Sequence, residues 1–172
     1  MNNLIRLTEH GPERVCTDPW MLALTEEPAV AGPRILSLDG WLQCQPAAVL
    51  GGLVPSADAV CLQPDDEAER LQPYLAVLPL IAVLFPSFRD GRGYSQAYLL
   101  RTRIGWTGEL RAVGDVLRDQ LSHMRQCGFD AFAVREDKSV EDAIKGLSGM
   151  SVLYGRSAIE PRPLFRRRTS TC

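Results

Sequence analysis

Lysine is nearly absent from this chain. Lys138 and Lys145 are the only two, so positive charge rests almost entirely on arginine. Histidine is as scarce, with His10 and His123 alone, too few for a histidine-rich metal centre. The five cysteines, Cys16, Cys44, Cys61, Cys127 and Cys172, are odd in number and contain no C-x-x-C pair. That usage describes free thiols rather than a disulfide frame, and a cluster site would have to gather distant residues, so no metal is expected. Nowhere do about 18 uncharged apolar residues run together, which excludes a membrane helix. The start, MNNLIRLTEHGPERV, lacks a basic segment followed by an apolar one, so no secretory signal is read and the expected compartment is the cytoplasm.

What is present suits one domain: 172 residues, 45% hydrophobic, enough for a substantial core. The net charge of -2 hides an asymmetry. Residues 1–84 hold 4 basic and 11 acidic side chains, whereas residues 85–135 hold 8 arginines against 5 acids. A pI near 5.7 argues against nucleic acid as a partner. The local arginine excess fits a small anion or an acidic protein surface better than a phosphate backbone.

Four prolines, Pro12, Pro19, Pro28 and Pro33, mark residues 1–33 as an irregular strap, with Trp20–Leu24 as a strap or short edge strand. Strands are then predicted at Ile35–Leu38, Ala59–Leu62, Leu80–Phe85, Glu109–Val113 and Ala131–Val134, with Val152–Tyr154 as a marginal sixth. Helical segments fall between them: a short one at Pro46–Leu50, one opened by Asp65-Asp66-Glu67 and broken by Pro73, and one from Ser95 to Ile104 stopped by Gly105. A helix capped by Asp115 and one capped by Ser139 follow. Alternation at this spacing predicts an α/β fold, a single three-layer domain over residues 34–158 with a mainly parallel sheet of five or six strands. Residues 159–172, PRPLFRRRTSTC at their core, read as a flexible basic tail.

The segment from Ile81 to Asp115 organises the rest. An apolar run meets the loop Pro86–Gly93, with two arginines and two glycines at the edge where open α/β sheets bind ligands. Gly91-Arg92-Gly93 before a helix is an anion cradle in one reading and a tight glycine turn in the other. Arg89 and Arg92 would add charge-assisted hydrogen bonds. A dinucleotide fingerprint is incomplete, because Gln96 stands at the third glycine position, although Asp115 falls where a ribose-binding acid is expected. Gly93-Tyr94-Ser95-Gln96-Ala97 is a degenerate nucleophile elbow in which Ser95 is read as a helix cap. Cys127 reads as a small buried hydrophobe and Arg166-Arg167-Arg168 as a solvated tail. The expected ligand-binding set is Arg89, Asp90, Gly91, Arg92, Gly93, Tyr94, Ser95, Arg111 and Asp115, with no catalytic residue assigned.

Residues 85–132, FPSFRDGRGYSQAYLLRTRIGWTGELRAVGDVLRDQLSHMRQCGFDAF, resemble the bacterial domain-of-unknown-function family 934. The resemblance lies in F-P-x-F-x-D-G-R-G-Y-S, L-R-x-R, G-E-L-R-A-V-G-D and C-G-F-D-A-F at the family's spacing. Trp106 departs from it, standing where a tyrosine is typical. The resemblance implies a gene neighbourhood shared with the haemoprotein subunit of assimilatory sulfite reductase, and the label of oxidoreductase. Two functions stay open. One is an accessory protein of sulfite assimilation that engages a small oxyanion or the reductase subunit through its arginine-rich edge. The other is an oxidoreductase holding a nucleotide cofactor in the Gly91–Gly93 loop.

Overall fold

The computed structural model describes residues 3–24, 32–147 and 152–167. Eight strands form one mixed sheet: β1 (Leu4–Thr8), β2 (Gly11–Val15), β3 (Met21–Ala23), β4 (Arg34–Ser37), β5 (Ala59–Leu62), β6 (Leu80–Phe85), β7 (Glu109–Gly114) and β8 (Ala131–Ala133). Their order across the sheet is β2-β1-β8-β7-β6-β5-β4-β3. The strands β3 to β8 run parallel, whereas β1 pairs antiparallel with both β8 and β2. The strands β5 and β6 are continuous apolar runs because both of their faces are covered; all four residues of β5 are buried.

Helices fill the crossovers from β4 to β8: α1 (Leu38–Cys44), α2 (Ala47–Leu50), a 3₁₀ segment Ala68–Tyr74, α3 (Arg92–Leu99) running into a π-helical turn Leu100–Ile104, and α4 (Arg118–Cys127); α5 (Val140–Gly146) and α6 (Leu164–Arg167) follow the last strand. No helix among the described residues is long and apolar enough to cross a membrane. Gly105, at φ +85°, ends the π turn as a left-handed cap. Ser139 caps α5 by accepting from the Asp142 amide at 3.1 Å. Pro73 holds the segment after β5 in 3₁₀ form, where a full α-helix would lose a hydrogen bond to it.

The parallel strands lie side by side in strict chain order, so the sheet never reverses direction and has no switch point. Right-handed crossovers of that kind place the crossover helices on the same face. The core divides accordingly. One large cluster joins Leu36, Val60, Leu62, Ile81, Val83, Phe85, Leu110 and Phe132 to helical residues such as Trp41, Ala97, Leu121, Met124 and Ala143. The opposite face carries a smaller cluster, Ile35, Ala59, Cys61, Leu80, Ala82 and Val113, covered by Trp20 and Leu24 rather than by helices. The expected three-layer arrangement is therefore replaced by one helical layer, the sheet, and a strap.

The strand count exceeds the expected five or six because the amino terminus pairs with the sheet. The hairpin β1–β2 closes at Thr8 opposite Gly11, with Gly11 at φ +117°. Leu4 and Ile5 are fully buried, while Pro12 sits on the outer strand, where its missing N–H breaks no ladder. Val152–Tyr154 does not form the sixth parallel strand; β3 takes that place at the far edge. In the tail, α6 is a single turn, and Arg167 donates to the Leu153 carbonyl and reaches Glu160 at 3.4 Å. Residues 168–172, including Arg168 and Cys172 of the expected tail, lie outside the described residues.

Candidate functional site

The carboxyl edge of the sheet is shaped by two glycines. Gly114 ends β7 at φ +96°, and a Cβ there would stand 2.3 Å from the Phe85 carbonyl oxygen. Only glycine lets the chain turn this close, and the turn delivers Asp115, whose amide donates to the Phe85 carbonyl at 2.7 Å. Gly93, in the first turn of α3, lies against Phe85 and Val83, where a Cβ would approach to 2.8 and 3.0 Å. It is a helix–sheet packing residue. Gly91 has φ −93° and an open Cβ direction, so neither glycine of the Gly91-Arg92-Gly93 loop needs a left-handed backbone.

The loop above this floor is pinned from inside. The Asp115 carboxylate accepts from the Phe88 amide at 2.8 Å, and the Asp90 amide donates to the Ser87 carbonyl at 3.0 Å. These bonds turn Phe88 and Arg89 outward at the loop tip; Phe88 is 48% exposed. The Gln96 amide nitrogen donates to the Gln63 and Asp66 carbonyls, each at 2.8 Å, and so anchors the neighbouring β5 loop beside α3.

Charges at this edge are satisfied by one another. Arg92 clasps Asp90 through Nε at 3.0 Å and Nη2 at 2.7 Å, and its remaining nitrogen meets Asp65. Hydrogen bonds from the Arg92 side chain and amide hold the Asp90 carboxyl below its ordinary range. Arg135 bridges Asp115 at 2.9 Å and Asp137 at 2.6 Å, and its hydrogen bonds push the Asp137 carboxyl down to about 2. Arg70 pairs with Asp39 at 2.8 Å. Among the described residues Arg89 forms no ion pair, and its amide donates to Ser87 Oγ at 3.3 Å.

The structure thus brings Arg89, Asp90, Gly91, Arg92 and Asp115 to one edge and disperses the rest of the expected set. Asp115 does not cap α4. Leu117 stands at the cap position, its amide donating to the Gln120 side chain at 2.9 Å. Ser95 is exposed within α3 rather than at its start, because the helix begins three residues earlier at Arg92. Tyr94 and Ser95 face away from the loop into an open groove of about 470 Å³ between α3 and α4, lined also by Tyr98, Leu99, His123 and Cys127. There the Tyr94 ring lies 4.7 Å from the His123 ring, and Cys127 Sγ is 3.9 Å from His123 Nε2. Burial raises the Cys127 thiol, so it stands protonated at neutral pH.

Arg111 is on the other face of the sheet altogether. Strand alternation turns it toward the side of Val113, away from Leu110 and Ala112. It is fully buried and clasped by Asp18 of the strap at 2.8 and 3.2 Å, and by Glu109. Arg6 of β1 meets the same Glu109 at 2.7 Å. Sequence reading missed Asp18, since nothing local distinguishes an acid between Thr17 and Pro19. It also passed over Arg101, which donates from α3's π turn to the Gly128, Trp106 and Gly108 carbonyls, each at 2.8 Å, and to Asp130 at 2.7 Å. Among the described residues no three histidine, cysteine or acidic side chains gather where a metal ion could sit.

No curated protein and no solved structure matches this chain. A family model does, over residues 59–165, which spans β5 through the first turn of the tail and contains the whole edge loop, the α3–α4 groove and Arg111. That match covers well over half of the sequence, and the chain belongs to the family described as bacterial protein of unknown function, DUF934.

Proposed function

We propose that this protein is an accessory, partner-docking protein, and that the carboxyl edge of its sheet engages another protein rather than a small anion. The observation that carries this reading is the loop tip. Phe88 is half-exposed on a backbone already fixed by Asp115, with Arg89 beside it and no carboxylate holding it. Aromatic and arginine side chains are the residue types that dominate binding energy in protein interfaces. A preformed loop spares the ordering entropy that docking otherwise costs. Around the tip, the Asp39–Arg70, Asp65–Arg92–Asp90 and Asp115–Arg135–Asp137 groups make a rim of alternating sign, suited to choosing a partner by complementary charge. A small anion would have to displace carboxylates from Arg92 or Arg135.

The partner put forward is the haemoprotein subunit of assimilatory sulfite reductase, the association implied by the family resemblance. Binding between that purified subunit and the full chain tests it. Phe88→Ala is expected to weaken association by about 30-fold, the 2 kcal/mol of an interface anchor. Arg89→Ala is expected to slow association, increasingly so at low salt. Equal binding by wild type and both variants, or none by any, rejects the reading. A flavin or haem absorbance in the purified protein, or a melting shift with a dinucleotide, would favour the oxidoreductase alternative instead.

A further inference from the structure

The groove between α3 and α4 contains a pair of side chains that docking at the edge does not use. His123 and Cys127 stand four residues apart on α4, so one turn of helix brings both to the same face. That face opens into the groove, with His123 exposed at its wall and Cys127 buried at its floor. The Tyr94 ring packs tilted against the imidazole at 4.7 Å between centroids, and Tyr94 is itself set edge-on against Phe85 at 5.1 Å. These ring contacts steady the imidazole beside the sulfur. Cys127 Sγ lies 3.9 Å from His123 Nε2, at the long end of thiol–imidazole hydrogen bonding. A metal ion about 2.3 Å from a thiolate and about 2.0 Å from an imidazole nitrogen, with about 130° between the two bonds, spaces those donors about 3.9 Å apart. The observed spacing is already that of a metal-bridged pair.

The surroundings select the kind of ion. None of the side chains lining the groove is a carboxylate. Among the described residues no third histidine, cysteine or acidic side chain joins the pair where a metal ion could sit. Calcium and magnesium need several oxygen ligands, and zinc needs a tetrahedral set of which this pair is half. What remains is a soft cation that favours thiolate and accepts low coordination. Cys127 is also the last residue of α4, the end at which the helix dipole favours positive charge. We propose that His123 and Cys127 form a two-donor site for a soft monovalent cation of the copper(I) class, open to the groove on its remaining side. Binding exchanges the thiol proton for the metal: the S–H bond breaks, the S–metal bond forms, one proton leaves to solvent, and no electron is transferred. The imidazole contributes its Nε2 lone pair and keeps its proton on Nδ1. Neither residue belongs to the Phe88 tip, so the site stands or falls independently of the docking reading.

The full chain tests this in a Cys16→Ser, Cys44→Ser, Cys172→Ser background, which removes the two exposed thiols and the one outside the described residues, and keeps the buried Cys61. Copper(I) is titrated without oxygen against the coloured chelator bicinchoninate, and the bound ion is examined by X-ray absorption. One equivalent is expected, with a sulfur at about 2.3 Å and a nitrogen at about 2.0 Å. His123→Ala, at an exposed position that leaves the core intact, is expected to weaken binding by at least about 10–100-fold, the cost of losing even an outer-shell partner. Cys127→Ser is expected to abolish it, and zinc to compete only weakly. No copper(I) binding by the folded background protein overturns the proposal. So does an equivalent held unchanged by His123→Ala or by Cys127→Ser, which places the ion on other groups. An absorption spectrum with sulfur neighbours only, or zinc bound as tightly as copper(I), overturns it as well.

Discussion

The Arg111–Asp18 pair and the Arg135–Asp115 pair have the same chemistry in opposite surroundings. The first is sealed between the sheet and the strap, with side-chain exposures of 0% and 1%; the second stands at the solvent edge, at 43% and 24%. In water-screened surroundings, removing one partner leaves the other to be solvated, and little is lost. Under the strap the abandoned charge has no water to turn to. The difference teaches that the arginines of this chain divide by burial, not by sequence position. Arg92 and Arg135 stand about half-exposed at the carboxyl edge, beside the exposed loop-tip Arg89, while Arg111 is fully buried, Arg101 is largely so, and both tie separate elements together.

The largest expected effect follows from breaking the buried pair on one side. Asp18→Ala takes from the buried Arg111 its bidentate carboxylate and is expected to destabilise by about 3–5 kcal/mol in urea unfolding. Replacing both partners, as Asp18→Leu with Arg111→Met, is expected to recover most of that loss, because no charge is then stranded. A double variant as unstable as the single one would mean that the strap, not the charge, sets the cost.

Gly114→Ala sharpens the comparison at the point where the strand carrying Arg111 becomes the edge carrying Asp115. Its positive φ and the Phe85 carbonyl at 2.3 Å from a new Cβ predict a loss of at least about 1–3 kcal/mol, together with weakened partner binding. A fully stable Gly114→Ala protein would show that the Phe85–Asp115 turn can be rebuilt without strain.

pH separates two half-buried pairs of intermediate burial. Burial alone would raise the Asp58 carboxyl, but hydrogen bonds from Arg34 and its charge outweigh this and hold it below its ordinary 3.8. Its contribution is therefore present above about pH 4 and lost as pH falls through the depressed value. Asp130 is the reverse: burial raises it, despite hydrogen bonds from Leu110 and Arg101, so its contribution declines as pH rises through its folded value. Denaturation midpoints against pH should show a shallower acid limb for Asp58→Asn, and for Asp130→Asn the loss of a downward slope above about pH 4. Identical profiles would refute both assignments.

The smallest stability effects are expected at the edge. Arg92→Ala and Arg135→Ala should leave the urea midpoint unresolved from wild type, since both guanidiniums are about half-exposed. If the edge docks a partner as proposed, their effect is expected in the salt dependence of that association. A clear destabilisation by Arg92→Ala would place the Asp65–Arg92–Asp90 group among the structural pairs and break the division drawn above.

Much of this was written locally in the sequence. The apolar runs at Ala59–Leu62 and Leu80–Phe85 specify buried parallel strands because a strand covered on both faces needs no alternation. Gly105 and Ser139 specify helix ends because a left-handed cap and a side-chain acceptor are properties of one residue and its near neighbours. The loop Phe88–Arg92 was recognisable as an exposed, charged connection for the same reason. What only the tertiary structure decided is pairing at a distance. Asp18 reaches Arg111 across 93 positions, the amino-terminal hairpin completes the sheet on β8, and the unreversed strand order places all the crossover helices on one face. Such contacts depend on how whole elements stack, and the free energy that selects them comes from burial shared over the entire sheet rather than from any short stretch of chain.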